Sequence, residues 1–125
     1  MKLFLALGSI NAFLFVALGA FGAHALKPKL EANGYWQTYE TAVQYHMVHA
    51  LALIAIAILM QHLDATRLLR GAGWVIFMGI ILFSGSLYAL SMTGISTLGA
   101  ITPIGGVAFL IGWALVFFAA VQQVE

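Results

Sequence analysis

The sequence predicts an all-α membrane protein that forms a four-transmembrane-helix bundle. Two observations predict this class: 63% of the 125 residues are hydrophobic and only 7% are charged, and four apolar segments approach the roughly 20 residues that a helix needs to cross a bilayer. So few charged side chains cannot cover a water-soluble surface. A formal net charge of +1 without a basic run also excludes an electrostatic surface for nucleic acid.

The four expected spans belong to one integral membrane domain that covers residues 1–125. They run from about residue 3 to 22, 42 to 60, 74 to 92 and 103 to 121, as judged by apolar length. Thr102 is expected to cap the last span, with Pro103 at its first helical position. The N-terminal run followed by small residues also resembles a signal peptide, but it is longer than a usual signal core, which favours a retained first span.

The distribution of lysine and arginine predicts the orientation of the spans. Lys2, Arg67 and Arg70 fall on one side of the membrane, whereas Lys27 and Lys29 fall on the other. Because positive residues favour the cytoplasmic side, this bias of three against two places both termini in the cytoplasm.

Polar side chains are expected to gather in one leaflet of the bundle, because a helix in lipid cannot expose them cheaply. Threading the helices alternately brings the ends of the first two spans, the second half of the third and the start of the fourth to one face. The opposite half is expected to be apolar apart from Ser9 and Asn11. The candidate cluster, which would also form any ligand site, is His24, Glu40, Gln44, Tyr45, His46, His49, Ser84, Tyr88, Ser91 and Thr102.

Small residues in the spans indicate where helices approach each other closely. Several recur at four-residue spacing in the first and fourth spans, and one glycine stands between two serines in the third. The expected packing residues are Gly8, Ala12, Gly19, Gly22, Gly85, Gly105, Gly106 and Gly112.

The histidines allow several readings. His46 and His49, three residues apart on a helix, could hold a metal in a site completed by Glu40 and His24, or His24 could be one of two haem ligands. No metalloprotein motif accompanies them, so no cofactor is predicted and metal or haem is kept as an alternative. The favoured interpretation is that the histidines belong to a structural hydrogen-bond network. A proton relay or transport path would need polar groups through the apolar half, and no catalytic residue is predicted.

Four motifs resemble a known family: "GAFGAHAL" from Gly19, "YHMVHALAL" from Tyr45, "FSGSLYAL" from Phe83 and "TPIGG" from Thr102. In this order and spacing they are similar to the YgdD-like small inner-membrane proteins, a family defined by a domain of unknown function. The resemblance covers nearly the whole chain. It implies four transmembrane helices in a bacterial inner membrane and brings no catalytic residue or cofactor.

Together, these observations favour a non-enzymatic accessory protein that supports membrane integrity or binds a larger membrane complex. Its expected partners are the lipid bilayer, such a complex, or a second copy of itself. The alternative is a ligand-binding or transport protein that uses the polar cluster to hold a metal, a haem, a quinone head group or a lipid.

Overall fold

A computed structural model describes residues 2–122, and within this range the chain is helical with no β-strand. Four continuous helical stretches are long and apolar enough to cross a membrane: Lys2–Ala32, Trp36–His62, Thr66–Thr93 and Ser96–Gln122. The predicted all-α class with four spans is therefore confirmed. The elements are α1 (Lys2–Phe21), a π-helical turn (Gly22–Leu26), α2 (Lys27–Ala32), α3 (Trp36–His62), α4 (Thr66–Gly79), a second π-helical turn (Ile80–Gly85), α5 (Ser86–Thr93), a 3₁₀ turn (Ser96–Ala100) and α6 (Thr102–Gln122).

The helices extend beyond the expected spans, most of all between the first and the second. This segment was expected to be a loop, but α2 fills much of it and α3 begins at Trp36. Pro28 stands in the first turn of α2, directly after the π-helical turn. Leu30 is completely buried and fixes this short helix to the bundle. A turn at residues 33–35 separates α2 from α3, and Gly34 has the positive φ of 82° that favours glycine.

The bundle is built from two closely packed helix pairs. α1 packs mainly against α3, and α4 packs mainly against α6. α3 joins the pairs because it also contacts α4, the second π-helical turn and α5. The apolar core between the pairs consists of Phe4, Ala52, Leu53, Ile56, Ala57, Ala65, Leu69, Ala72, Ile76, Ile80, Phe109 and Ala119.

Glycines allow the closest helix contacts. A Cβ atom on Gly8 would lie 3.0 Å from the carbonyl oxygen of Ala50, and one on Gly105 would overlap the backbone of Phe83. Gly22 and Gly112 face the rings or branches of buried side chains at similarly short range, and Gly19 would meet Val43 at 3.3 Å. Close approach of backbones is what holds membrane helices together when no water drives them to associate.

Three of the expected packing residues have looser surroundings. A Cβ atom on Gly106 or Gly85 would make ordinary contacts at 3.8 Å, and Ala12 is only half-buried. Gly106 lies beside Gly105 in sequence but points away from the backbone of the neighbouring helix. Gly85 is the last residue of the second π-helical turn, so it marks an irregular turn instead of a close contact.

We expect Gly105→Ala to lower the free energy of unfolding by about 1–3 kcal/mol, the usual scale of overpacking. The added methyl group would collide with the backbone of Leu82 and Phe83, which cannot rotate away as a side chain can. Reversible unfolding in mixed detergent micelles, followed by circular dichroism, measures this change.

Gly106→Ala is the matched control, because its methyl group would touch only the ring of Phe83 at 3.8 Å. Both variants raise helix propensity equally. Equal stability of the two variants would contradict the packing described for Gly105.

Candidate functional site: a polar chain at the centre of the bundle

Three side chains from three helices form a continuous hydrogen-bonded chain inside the bundle. His46 on α3 lies between Tyr88 on α5 and Asn11 on α1. Its Nδ1 atom is 2.9 Å from the Tyr88 hydroxyl oxygen, and its Nε2 atom is 3.0 Å from Asn11 Oδ1. His46 and Asn11 are 3% and 5% exposed, so both are withdrawn from the surface of the bundle.

The partners of Asn11 determine which nitrogen of His46 carries the proton. The side-chain amide of Asn11 donates from Nδ2 to the carbonyl oxygen of Leu7 at 2.8 Å, and a carbonyl can only accept. Asn11 Oδ1 is therefore the atom that faces His46, and His46 Nε2 must donate to it. In the neutral ring, which carries one N–H, His46 Nδ1 then accepts from the Tyr88 hydroxyl and the proton is on Nε2.

His49 has the opposite arrangement. Its Nδ1 atom is 2.7 Å from the carbonyl oxygen of Tyr45, so Nδ1 donates. The indole N–H of Trp113 on α6, which can only donate, lies 3.0 Å from His49 Nε2. His49 is thus a neutral imidazole protonated on Nδ1. Its ring also stacks on Phe109 with a centroid separation of 3.5 Å.

The two histidines lie near the middle of α3, deeper than the sequence suggests. His49 is the central residue of this helix, which runs from Trp36 to His62. The expected second span began at residue 42 because the polar residues Glu40 and Thr41 precede the apolar run. This start placed both histidines in the first turns of the expected span. His46 and His49 therefore lie further inside the bundle than expected, and Asn11, which was assigned to the apolar half, is bonded to His46.

Serine and threonine hydroxyls tie further turns to this region. Ser84 in the second π-helical turn donates to the carbonyl oxygen of Ala42 on α3 at 2.9 Å. Ser86 and Thr102 share a hydrogen bond of 2.6 Å between α5 and α6. Thr102 is the first residue of α6 and not a residue before it, and its hydroxyl bonds across to α5. Ser91 turns inward to the carbonyl of Leu87 in its own helix.

Four predicted cluster members lie on the outside. His24, Glu40 and Gln44 are exposed, and Tyr45 is 44% exposed although its ring stacks with His49. Within residues 2–122 no group of three histidine, aspartate, glutamate or cysteine side chains is placed to hold a metal. The sequence analysis placed His24 with His46 and His49, but the structure does not bring these three side chains together within residues 2–122. The π-helical turn that contains His24 continues the helix past the bundle's polar centre.

The family model described as "Protein of unknown function (DUF423)" matches residues 18–106, more than half of the chain. The chain belongs to this family. Its relatives include the UPF0382 membrane protein YwdK of Bacillus subtilis, which is 56% identical over 122 residues covering 98% of each chain. Two Staphylococcus aureus relatives are the UPF0382 membrane proteins SAB0533 of strain bovine RF122 / ET3-1, 49% identical, and SAUSA300_0565 of strain USA300, 50% identical. Each is matched over 119 residues and 95% of both chains. No solved structure matches significantly.

The comparison establishes a membrane protein family of unknown function, which agrees with the coarser part of the resemblance described above. The range matched by the DUF423 model contains His46, His49 and Tyr88, whereas Asn11 and Trp113 lie outside it. The polar centre of this DUF423 protein thus combines residues within the matched range with residues from the first and last helices.

Three residues of the site were not predicted from the sequence. Asn11 was noted but assigned to the apolar half, although a lone amide in a span is a signal for an interior partner. Tyr39 was not among the predicted cluster residues, but it is buried and donates to the carbonyl of Leu18 at 2.6 Å. Trp113 gives no signal, because its indole is one of many large apolar groups in the last span.

Hydrogen bonds satisfy the buried polar side chains of residues 2–122. Among the described residues, every buried side-chain nitrogen or oxygen has a hydrogen-bond partner. Satisfied networks of this kind stabilise a fold, since an unpartnered polar group in a low-dielectric interior costs several times more than a bond gains.

We expect ¹⁵N NMR of the histidine rings to show His46 protonated on Nε2 and His49 protonated on Nδ1. Asn11→Leu removes the acceptor from His46, so the His46 ring signals should change while those of His49 stay in place. The variant also leaves a buried N–H unpaired, which should lower the free energy of unfolding by about 1–3 kcal/mol.

Ser9→Ala is the control for this variant. Ser9 is on the same helix two residues away, is exposed and bonds only to the carbonyl of Leu5 in its own helix. Identical tautomers for the two histidines, or an Asn11→Leu variant that leaves the His46 signals unchanged, would contradict the hydrogen-bond chain.

Proposed function

We propose that this DUF423 protein is a non-enzymatic accessory protein that acts by contacts within the bilayer, either supporting membrane integrity or binding a larger membrane complex. The observation that carries the proposal is that all four ring nitrogens of His46 and His49 bond to groups of the chain itself. Donors and acceptors that satisfy each other fix helix positions without a ligand.

The outward surface supports the same proposal. α1 and α6 expose bulky apolar side chains along their length, which suit lipid tails or the helices of a neighbouring membrane protein. The most exposed of these side chains are Phe13 and Val16 on α1 and Ile104, Leu110 and Phe117 on α6. Such a surface offers contacts in the plane of the membrane and little loop area for contacts outside it.

We also propose the finer placement of this chain among YgdD-like proteins of a bacterial inner membrane, with both termini in the cytoplasm. The four motifs shared with that family support the first part. The greater number of lysines and arginines beside the first residue and the turn between α3 and α4 supports the second.

The orientation can be tested with single cysteines because the chain has none of its own. Glu31→Cys on α2 and Thr66→Cys at the start of α4 place exposed thiols at opposite ends of the bundle. A maleimide that cannot cross membranes should label Glu31→Cys in intact cells and Thr66→Cys only after the membrane is opened. The reverse pattern would place the termini outside the cytoplasm.

A second candidate function is ligand binding or transport at a groove beside His49 on α3. Gln44, Tyr45, Val48 and His49 line this groove, and the Tyr45 ring is both exposed and stacked parallel to His49. A flat quinone head group or a lipid could stack there, and a haem or metal would first have to displace the Trp113 N–H from His49.

Metal analysis and the visible absorption spectrum test the metal and haem versions of the second candidate. We expect gently purified protein to contain no stoichiometric metal or haem, both as wild type and as the His46→Ala, His49→Ala double variant. His62→Ala, which changes an exposed histidine at the far end of α3, is the matched control. A metal or haem that the double variant loses and His62→Ala retains would replace the accessory role with ligand binding.

Photo-crosslinking from Phe13 or Leu110 in native membranes tests the partner version of the accessory role. One reproducible crosslinked membrane complex would support it. Crosslinks confined to a second copy of the chain would count against it.

A further inference from the structure

A second groove lies between the end of α1 and the start of α3, away from the polar centre. Gly19 and Ala23 form one wall, and Trp36, Glu40, Val43 and Gln44 form the other. Trp36, Glu40 and Gln44 are four residues apart in turn, so they form one stripe along α3. The small residues opposite leave room beside this stripe.

The mouth of the groove carries one positive and one negative group. Glu40 is exposed and makes no hydrogen bond or ion pair with the residues that the structure describes. The ammonium of Lys27 lies 5.2 Å from the centroid of the Trp36 ring, over one wall of the groove. Lys27 and Glu40 therefore bring opposite charges to the part of the groove that Trp36 lines, and they form no ion pair with each other.

The polarity of the groove changes along its length. The charged mouth is at the first turns of α3, beside Tyr35 and Trp36, which are residue types enriched at membrane interfaces. Val43 and Gly19 lie about one helical turn, or roughly 5 Å, further along the bundle, where the lining is apolar. Gln44, at a similar depth, offers amide donors to an ester carbonyl. From the mouth inward, the groove thus presents two charges, an amide and an apolar wall. A phospholipid has its parts in the same order: a charged head group, ester carbonyls and acyl chains.

We propose that the groove binds one phospholipid with an ethanolamine head group. The lipid ammonium pairs with Glu40, its phosphate pairs with Lys27, and an acyl chain lies against Gly19 and Val43. The ammonium of an ethanolamine head group is positively charged and can donate hydrogen bonds to the carboxylate of Glu40. The glycerol head group of phosphatidylglycerol has no positive charge to pair with Glu40. The inference goes beyond the accessory role, because it assigns a specific lipid to a specific place on the bundle.

Native mass spectrometry of the full chain, titrated with phosphatidylethanolamine or phosphatidylglycerol, tests the proposal. We expect wild type to bind the ethanolamine lipid about fivefold more tightly, the scale of one exposed charge pair. Glu40→Gln should remove this preference, whereas Glu31→Gln, which changes an exposed carboxylate on α2 outside the groove, should retain it. Equal binding of the two lipids by wild type would overturn the proposal without reference to any variant.

A steric pair of variants tests the position of the lipid. Ala23→Leu should fill the groove and weaken binding of phosphatidylethanolamine, while Ala25→Leu, at an exposed position two residues on, should not. Circular dichroism shows whether each variant folds. Two outcomes would overturn the proposal: retained lipid preference in folded Glu40→Gln, which would limit this carboxylate to stabilising the helix N-terminus, and a dimer that Ala23→Leu disrupts, which would make a second copy the occupant.

Discussion

The bundle depends on one constraint: a polar group in the interior of a membrane protein has no water to bond to, so it must find its partner within the chain. His46 has two ring nitrogens, and each forms a hydrogen bond with a residue on another helix. The hydrogen bonds that link His46 to Asn11 and to Tyr88 thus fix α1, α3 and α5 relative to one another. Apolar contacts between these helices are tolerant of rotation, but hydrogen bonds are directional and select one arrangement.

Close glycine contacts provide the complementary part of the stability. Gly8 allows α1 to approach α3, and Gly105 allows α6 to approach the second π-helical turn. At these distances the polar groups can reach across the interface. A larger residue at either position would separate the helices and lengthen the hydrogen bonds that depend on them. Packing by small residues and the satisfied polar interior therefore support each other, although each belongs to a different set of side chains.

The sequence predicts the fold class well because apolar length is a strong signal, and each expected span lies within one of the observed helices. It predicts the site less well, because depth depends on where a helix truly begins. α3 starts at Trp36 with polar residues that an apolar criterion leaves out, and this shifts His46 and His49 to the middle. Tautomers, the pairing with Asn11 and the role of Trp113 depend on rotations about helix axes that no single-sequence pattern contains.

The second π-helical turn changes which face of the third span meets which neighbour. Before it, α4 packs mainly on α6 and to a smaller extent on α3, and after it, α5 packs on α3. A π-helical turn holds one residue more than an α-helical turn, and each residue of an α-helix corresponds to about 100° of rotation. The number of residues between Ile80 and Gly85 therefore matters as much as their identity. A deletion of one residue here would turn Tyr88 away from His46 and break the hydrogen bond that joins α5 to α3.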